Sequence, residues 1–236
     1  MSKAFGNVGA MADKTLKDQN RLGLIIVVMA NVVALYAIAA ANSFVDANWV
    51  EAGKSLGRII PAGLIVVLIG VLNAQLDATT KARIVFLRWS HPLPGSCAFT
   101  KHGPKDARVD MDSLKTRLGE FPVEPDKQNA IWYRLYREIA NKPPIVHANR
   151  EYLFTRDYHV LALGMLIAFG TASMWAIEEP VTRAAYIGGL LLQAILTAQA
   201  ARNHGCRLVC TVLAMSAPLV PQPRKLKKKA TASTRA

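Results

Sequence analysis

Between Leu22 and Phe44 the chain runs for 23 residues without a charge, LGLIIVVMANVVALYAIAAANSF. As a helix this run is ~34 Å long, enough to cross a hydrocarbon core of ~30 Å. It fixes the solvent of the chain, and the solvent fixes the class. About 20 residues precede the run, and the run is longer than a signal-peptide apolar region. The alanines Ala39–Ala41 are compatible with a cleavage site, but no clear signal separates the run from the residues after it. It therefore reads as an uncleaved anchor.

Three more uncharged blocks of 18 residues occur, at Ile59–Leu76, Val160–Ile177 and Ala184–Ala201. Each lies near the lower limit for a span, so the flanks must contribute. The net charge of +13 suggests nucleic acid or anionic lipid, and its distribution favours lipid and topology. Lys3, Lys14, Lys17 and Arg21 precede the first block, and fourteen Lys/Arg lie within Asp77–Tyr158. The tail carries Arg224, Lys225, Lys227, Lys228, Lys229 and Arg235, whereas the two short connections are poor in cations. The positive-inside rule then places both termini and the middle segment in the cytoplasm, which requires four crossings, and four blocks are present.

The expected fold is an all-α membrane protein of the cell (inner) membrane: four transmembrane helices with a small, mainly helical cytoplasmic module between helices 2 and 3. In order, the segments are an N-terminal segment (1–21), span one (22–44), an outer loop (45–58) and span two (59–76). The module (77–158), span three (159–177), an outer turn (178–183) and span four (184–202) come next. A cytoplasmic apolar segment (203–217) and a basic, disordered tail (218–236) complete the chain. Gly205 leaves open whether 203–217 prolongs the fourth helix, forms a strand or packs on the module.

Within the module, SHPLPGSCAFT at Ser90–Thr100 excludes regular helix or central strand, so His91, Pro92, Pro94 and Gly95 read as a structured turn. Asp110 or Asp112 caps a short helix that Gly119 stops. Asp126 caps a second, Lys127–Ala140, with Ile131, Leu135 and Ile139 at helical spacing; Trp132, Tyr133 and Tyr136 widen its apolar face and are candidates for docking a partner. Pro143-Pro144 ends it, and a third helix from near Ile145 runs toward span three. Lys81, Arg83, Arg88, Arg150 and Arg156 lie where lipid phosphates are expected.

Asn31, Asn73, Gln193 and Gln199 are the polar residues of the spans, suited to interhelical packing or, in an alternative reading, to a pore. No Asp, Glu, Lys, Arg or His lies inside any block, which argues against proton relays and ion-coupled carriers. His91, His102, His204, Cys97, Cys206 and Cys210 could in principle bind zinc, but no C-x-x-C pair or repeated ligand spacing is present, so no metal or other cofactor is expected. Cysteines on the cytoplasmic side argue against a disulfide framework. A Cys97–His91 nucleophile has only sequence proximity behind it. No Walker, GxGxxG, HExxH or EF-hand motif occurs.

The expected function is non-enzymatic. The module docks a cytosolic or membrane protein partner or senses a signal at an anionic inner surface, and the helices form homo-oligomers. Nucleic acid is not expected. The alternatives are a pore-forming or permeabilising effector and, behind it, a membrane enzyme using His91, Cys97 or His204. In plan the chain resembles the small membrane components of bacterial anti-phage defence systems, such as those of Kiwa or the transmembrane effectors of CBASS and retrons. The resemblance is one of layout.

Overall fold

The computed structural model describes residues 3–41 and 73–217, with scattered positions between 50 and 71; of residues 3–19 only the backbone is described. Most of the 45–58 and 59–76 assignments, and all of the 218–236 tail, lie outside the described residues. Six α-helices are described: α1 (Lys3–Ala39), α2 (Ala78–Phe86), α3 (Met111–Leu118), α4 (Pro125–Ile139), α5 (Pro143–Ala176) and α6 (Pro180–Ser216). No strand occurs among the described residues.

Among the described residues, three helices are long and apolar enough to cross a membrane: Asn20–Ala39 within α1, then α5 and α6. At 34 and 37 residues, α5 and α6 are ~51 and ~56 Å long, far beyond a hydrocarbon core of ~30 Å. Each therefore carries several turns that are not needed to cross it. The apolar segment 203–217 is one such extension, because α6 continues through Gly205 to Ser216 without a break. A β-carbon at Gly205 would lie 3.0 Å from Phe86 and 3.1 Å from Tyr152, so the glycine is where three helices meet closely.

The starts of the helices follow from local chemistry. Asp77 caps α2, accepting from the Thr79 and Thr80 amides, and its bonds with Thr80 and Thr79 hold its carboxyl below its ordinary pKa. Asp110 caps α3, as one of the two aspartates expected there, taking the Ser113 amide at 2.9 Å and hydroxyl at 2.7 Å. The α4 start differs from expectation. Pro125 occupies its first turn after Glu124, and Asp126 lies inside the helix and pairs with His91 instead of capping. Pro143-Pro144 likewise opens α5, since proline in a first turn forfeits no helical hydrogen bond.

Two cores result. The first lies between α5, α6 and α1 and contains Leu35, Met165, Phe169 and Leu190, interleaved with Ala162, Ala168, Ala176 and Ala194. The second joins α3, α4 and the 94–105 segment to the extensions of the two long helices: Ile145, Ala148 and Tyr152 from α5, and Leu208, Val209, Val212 and Leu213 from α6. The segment between α2 and α3 is thus built onto the long helices and has no core of its own.

Candidate functional site

Between the two cores lies a belt of polar side chains. Lys81 of α2 and Arg156 of α5 converge on Asp157. The Lys81 Nζ is 3.0 Å from Asp157 Oδ1, and the Arg156 Nε and Nη2 are each 2.9 Å from the same oxygen. Their side chains are 7%, 8% and 16% exposed. Arg156 also lies 5.8 Å above the Tyr152 ring, a cation–π distance. One turn along, His159 Nδ1 meets Thr197 Oγ1 at 3.2 Å and Gln193 donates to the Tyr158 hydroxyl at 2.9 Å, tying α5 to α6. Arg202 donates to the Val85 carbonyl at 2.7 Å, tying α6 to α2.

Beside this belt opens a cleft of about 380 Å³, within the range of small-molecule sites. Lys81 and Arg156 line one part, Trp132, Tyr133 and Tyr136 another, and Leu93 and Pro94 a third. The aromatics form a ladder: Trp132–Tyr136 at 5.8 Å and Tyr133–Tyr136 at 5.9 Å. Asn149 of α5 donates to the Tyr136 hydroxyl at 3.2 Å, which orients the middle ring. The Trp132 side chain is buried, and its Nε1–H has no partner among the described residues.

The wall at Pro94 is fixed from behind. Pro94, Gly95 and Ser96 are buried, and a β-carbon at Gly95 would come within 2.5 Å of Asn129 Oδ1 and 2.6 Å of Trp132. Only glycine lets this turn lie against the indole. Gln128, wholly buried, accepts from the Phe99 amide, the Thr100 amide and the Thr100 hydroxyl at 3.1–3.3 Å, and donates to the Val123 carbonyl at 2.9 Å. One side chain thereby holds two loops. His91 has φ 48°, a left-handed conformation uncommon outside glycine, and its Nδ1 lies 2.7 Å from Asp126 Oδ1.

The other sequence-predicted residues scatter. Arg83 donates to the Trp89 carbonyl at 3.3 Å, and the Arg88 Nη1 is 3.6 Å from Cys97 Sγ, both at the surface. Arg150 accepts, through its carbonyl, a bond from Asn20 of α1 at 3.1 Å. Lys81 and Arg156 turn into the protein rather than outward. Tyr133 is 49% exposed, Tyr136 half-buried, and Trp132 belongs to the core. Asn31 bonds its own helix at the Val27 carbonyl, Gln199 bonds Asn203, and Asn73 is buried with an Oδ1 lacking a partner among the described residues.

Cys97 and His91 turn to different partners, Arg88 and Asp126. His102 lies 4.0 Å from Cys206 Sγ, and Cys210 donates to its carbonyl at 3.6 Å. Burial, and then the cations Lys101, Arg88 and Lys105, push the His102 imidazole down to about 4, so it is neutral at pH 7. Asp106 is held well below the carboxylate range by its bonds to Arg108. No group of three or more His, Cys, Asp or Glu is placed to hold a metal among the described residues.

Sequence reasoning missed Asp157, Gln128 and Asn149. Two of them left a signal. Gln128, Trp132 and Leu135 share one face of α4, so a polar residue sits on the apolar stripe. Asp157 lies beside Arg156 just ahead of a long uncharged run, where an ion needs a partner. Neither a protein-family model, a curated protein nor a solved structure matches the chain.

Proposed function

We propose that this is a non-enzymatic receptor of the inner membrane, with four spans and both termini cytoplasmic. Its 77–158 segment senses a signal at the inner surface, and its spans associate with further copies. One observation carries the reading. The cleft is lined by residues of α4, by Leu93 and Pro94, and by residues of α2 and of the extension of α5, whose later turns are apolar enough to cross a membrane. An occupant would therefore touch both the sensing segment and a membrane helix, with no linker between them. The apolar faces of Ile25, Met29, Ile167, Leu192 and Ile195 are exposed, which suits contact with lipid or with other copies.

Filling the cleft tests the coupling. Ala78 lines the cleft and is exposed, so Ala78→Trp occupies it without disturbing the core. In lipid nanodiscs this variant should change amide exchange along residues 143–176. In liposomes it should shift the number of copies per complex counted by stepwise photobleaching. Unchanged exchange together with unchanged copy number overturns the receptor reading.

A further inference from the structure

Only residues 177–179 join α5 to α6, so the two helices run antiparallel and their remote ends lie on one side. Through α5 the run without Asp, Glu, Lys or Arg spans 158–177, and along α6 it spans 184–201. At ~1.5 Å per residue these runs are ~30 and ~27 Å long, which matches a hydrocarbon core of ~30 Å. Asp157 and Arg202 therefore stand at the edge of that core, on the same side. The short helix α2 is fastened to both. Lys81 Nζ lies 3.0 Å from Asp157 Oδ1, and Arg202 Nε donates to the Val85 carbonyl at 2.7 Å. Leu87 follows Val85 by two residues, a backbone distance of ~7 Å at most. Arg83 donates to the Trp89 carbonyl at 3.3 Å, which folds the chain after Leu87 back toward α2. The headgroup layer on each side of the core is ~5–8 Å thick, so Leu87–Trp89 lies within reach of it.

The side chains there suit that layer. Leu87 and Trp89 are 75% and 85% exposed. Leu87 closes α2 at φ 52° and ψ 42°, a left-handed conformation that glycine or asparagine adopts at lower cost. A leucine held in this conformation and left exposed is explained neither by capping nor by burial, and such outliers persist where function uses them. An indole combines an apolar body with one polar N–H, which concentrates tryptophan at membrane–water interfaces. Trp175, 71% exposed, has the same setting at the opposite end of the α5 run. The charge agrees. From 78 to 105 the chain carries Lys81, Arg83, Arg88, Lys101 and Lys105 and no Asp or Glu. Arg83 and Arg88 are exposed and close in sequence to the two apolar side chains. Cations at this depth are attracted to anionic headgroups.

We propose that Leu87, Arg88 and Trp89 form an interfacial anchor that seats in the anionic headgroup layer of the bilayer crossed by α5 and α6. Leu87 and Trp89 enter the layer, and Arg88, with Arg83, meets lipid phosphates. The anchor requires that the two helices cross the membrane and is independent of what the cleft takes. Because α2 also supplies Ala78 and Lys81 to the cleft, the anchor ties that cleft to the position of the bilayer surface.

The full chain, labelled with 5-fluorotryptophan, is placed in nanodiscs of phosphatidylcholine with phosphatidylglycerol at one lipid in five. Fluorine NMR reads each tryptophan separately, and Trp89→Phe, Trp132→Phe and Trp175→Phe each assign one resonance. Two relaxation agents are compared: a lipid carrying a nitroxide near its glycerol, and a soluble gadolinium chelate. The Trp89 resonance should be broadened by the nitroxide lipid at least twofold more than that of Trp132, which is buried in the second core. Leu87→Asn keeps the left-handed turn and should halve the Trp89 broadening or better, with the Trp132 resonance unmoved as the check on folding. Arg88→Gln should lower it as well. Trp89 broadened by the chelate and untouched by the nitroxide lipid, while Trp175 responds to that lipid, overturns the anchor and leaves the surface to a soluble protein. Broadening unaltered by both Leu87→Asn and Arg88→Gln also overturns it. If Trp175 too ignores the nitroxide lipid, the membrane crossing of α5 fails and the anchor fails with it. A failed anchor with Trp175 responding leaves the receptor reading standing, since Ala78→Trp tests that reading through copy number.

Discussion

The two cores use the same two helices and solve different problems. Around Phe169 and Met165 the contacts are alanine-rich, and the large aliphatic residues Ile167, Leu191, Leu192, Ile195 and Leu196 face outward. Where lipid is the solvent, apolar side chains gain nothing by leaving it, and helices associate by close approach of small residues. Around Trp132 and Leu135 the arrangement inverts. Large side chains fill the interior, and directional bonds from Gln128, Asn149 and Asp110 position the loops around them. Water outside makes burial of apolar area favourable there, and polar anchors then select one packing. The ionic belt of Lys81, Arg156 and Asp157 sits between the two regimes, where neither solvent suits it.

That position makes Asp157 the most sensitive point of the boundary. Asp157→Leu leaves two buried cations facing each other without their shared carboxylate, and should cost about 3–5 kcal/mol. Replacing the whole cluster, as Lys81→Met, Arg156→Leu and Asp157→Leu together, should recover most of that stability, because the two cations are removed together with the carboxylate they share. Denaturation in nanodiscs, followed by helical circular dichroism, checks both. A triple variant as unstable as the single one would show that the belt contributes more than mutual neutralisation.

Next in size is Gln128→Leu. It removes the acceptor for the buried Phe99 amide and for Thr100, and the donor to Val123. The expected cost is about 2–3 kcal/mol, and it should fall on one of the two cores only. Amide exchange should accelerate over residues 94–123 and stay unchanged over residues 160–176. Equal acceleration in both would mean that the two cores unfold as one unit.

How much of the fold is legible in the sequence depends on the same division. The apolar runs at Leu22 and after Val160 and Ala184 announce three helices, because a long uncharged run has few other solutions. Asp110 as a cap is readable from its place before Leu114 and Leu118. The joining of 203–217 to the preceding helix is not, since Gly205 reads as a breaker until Phe86 and Tyr152 are seen pressed against it. Nor is the cleft, which brings Lys81, Trp132 and Arg156 together from three helices whose contacts no local pattern encodes. The true place of Asp126 is hidden for a comparable reason. Proline at the first helical turn supplies the start of α4, which frees the aspartate for His91.

A smaller effect comes from His102. Its imidazole is held neutral by burial beside Lys101, Arg88 and Lys105, with a pKa of about 4 against an ordinary 6.5. The folded group binds its proton less readily than the unfolded one, so stability is full above pH 6.5 and falls as pH drops toward 4. With solvent screening allowed for, the decrease should be about 1–2 kcal/mol. His102→Asn should flatten the pH dependence of thermal unfolding over that window. A profile unchanged by the substitution would place the sensitivity in other groups.

The smallest effect is expected on the lipid-facing side, and its size is informative. Leu192 is 56% exposed on α6. In lipid, Leu192→Ala removes a surface that acyl chains largely replace, so subunit stability should change by less than about 0.5 kcal/mol. If this face joins copies, the same substitution should still lower the number of copies per complex at fixed lipid-to-protein ratio, because the shortened side chain no longer reaches the neighbouring subunit. A change in subunit stability as large as that of Gln128→Leu would erase the distinction between the two cores. It would mean that Leu192 is packed within one subunit, and that the first core extends around α6 beyond the alanine-rich seam.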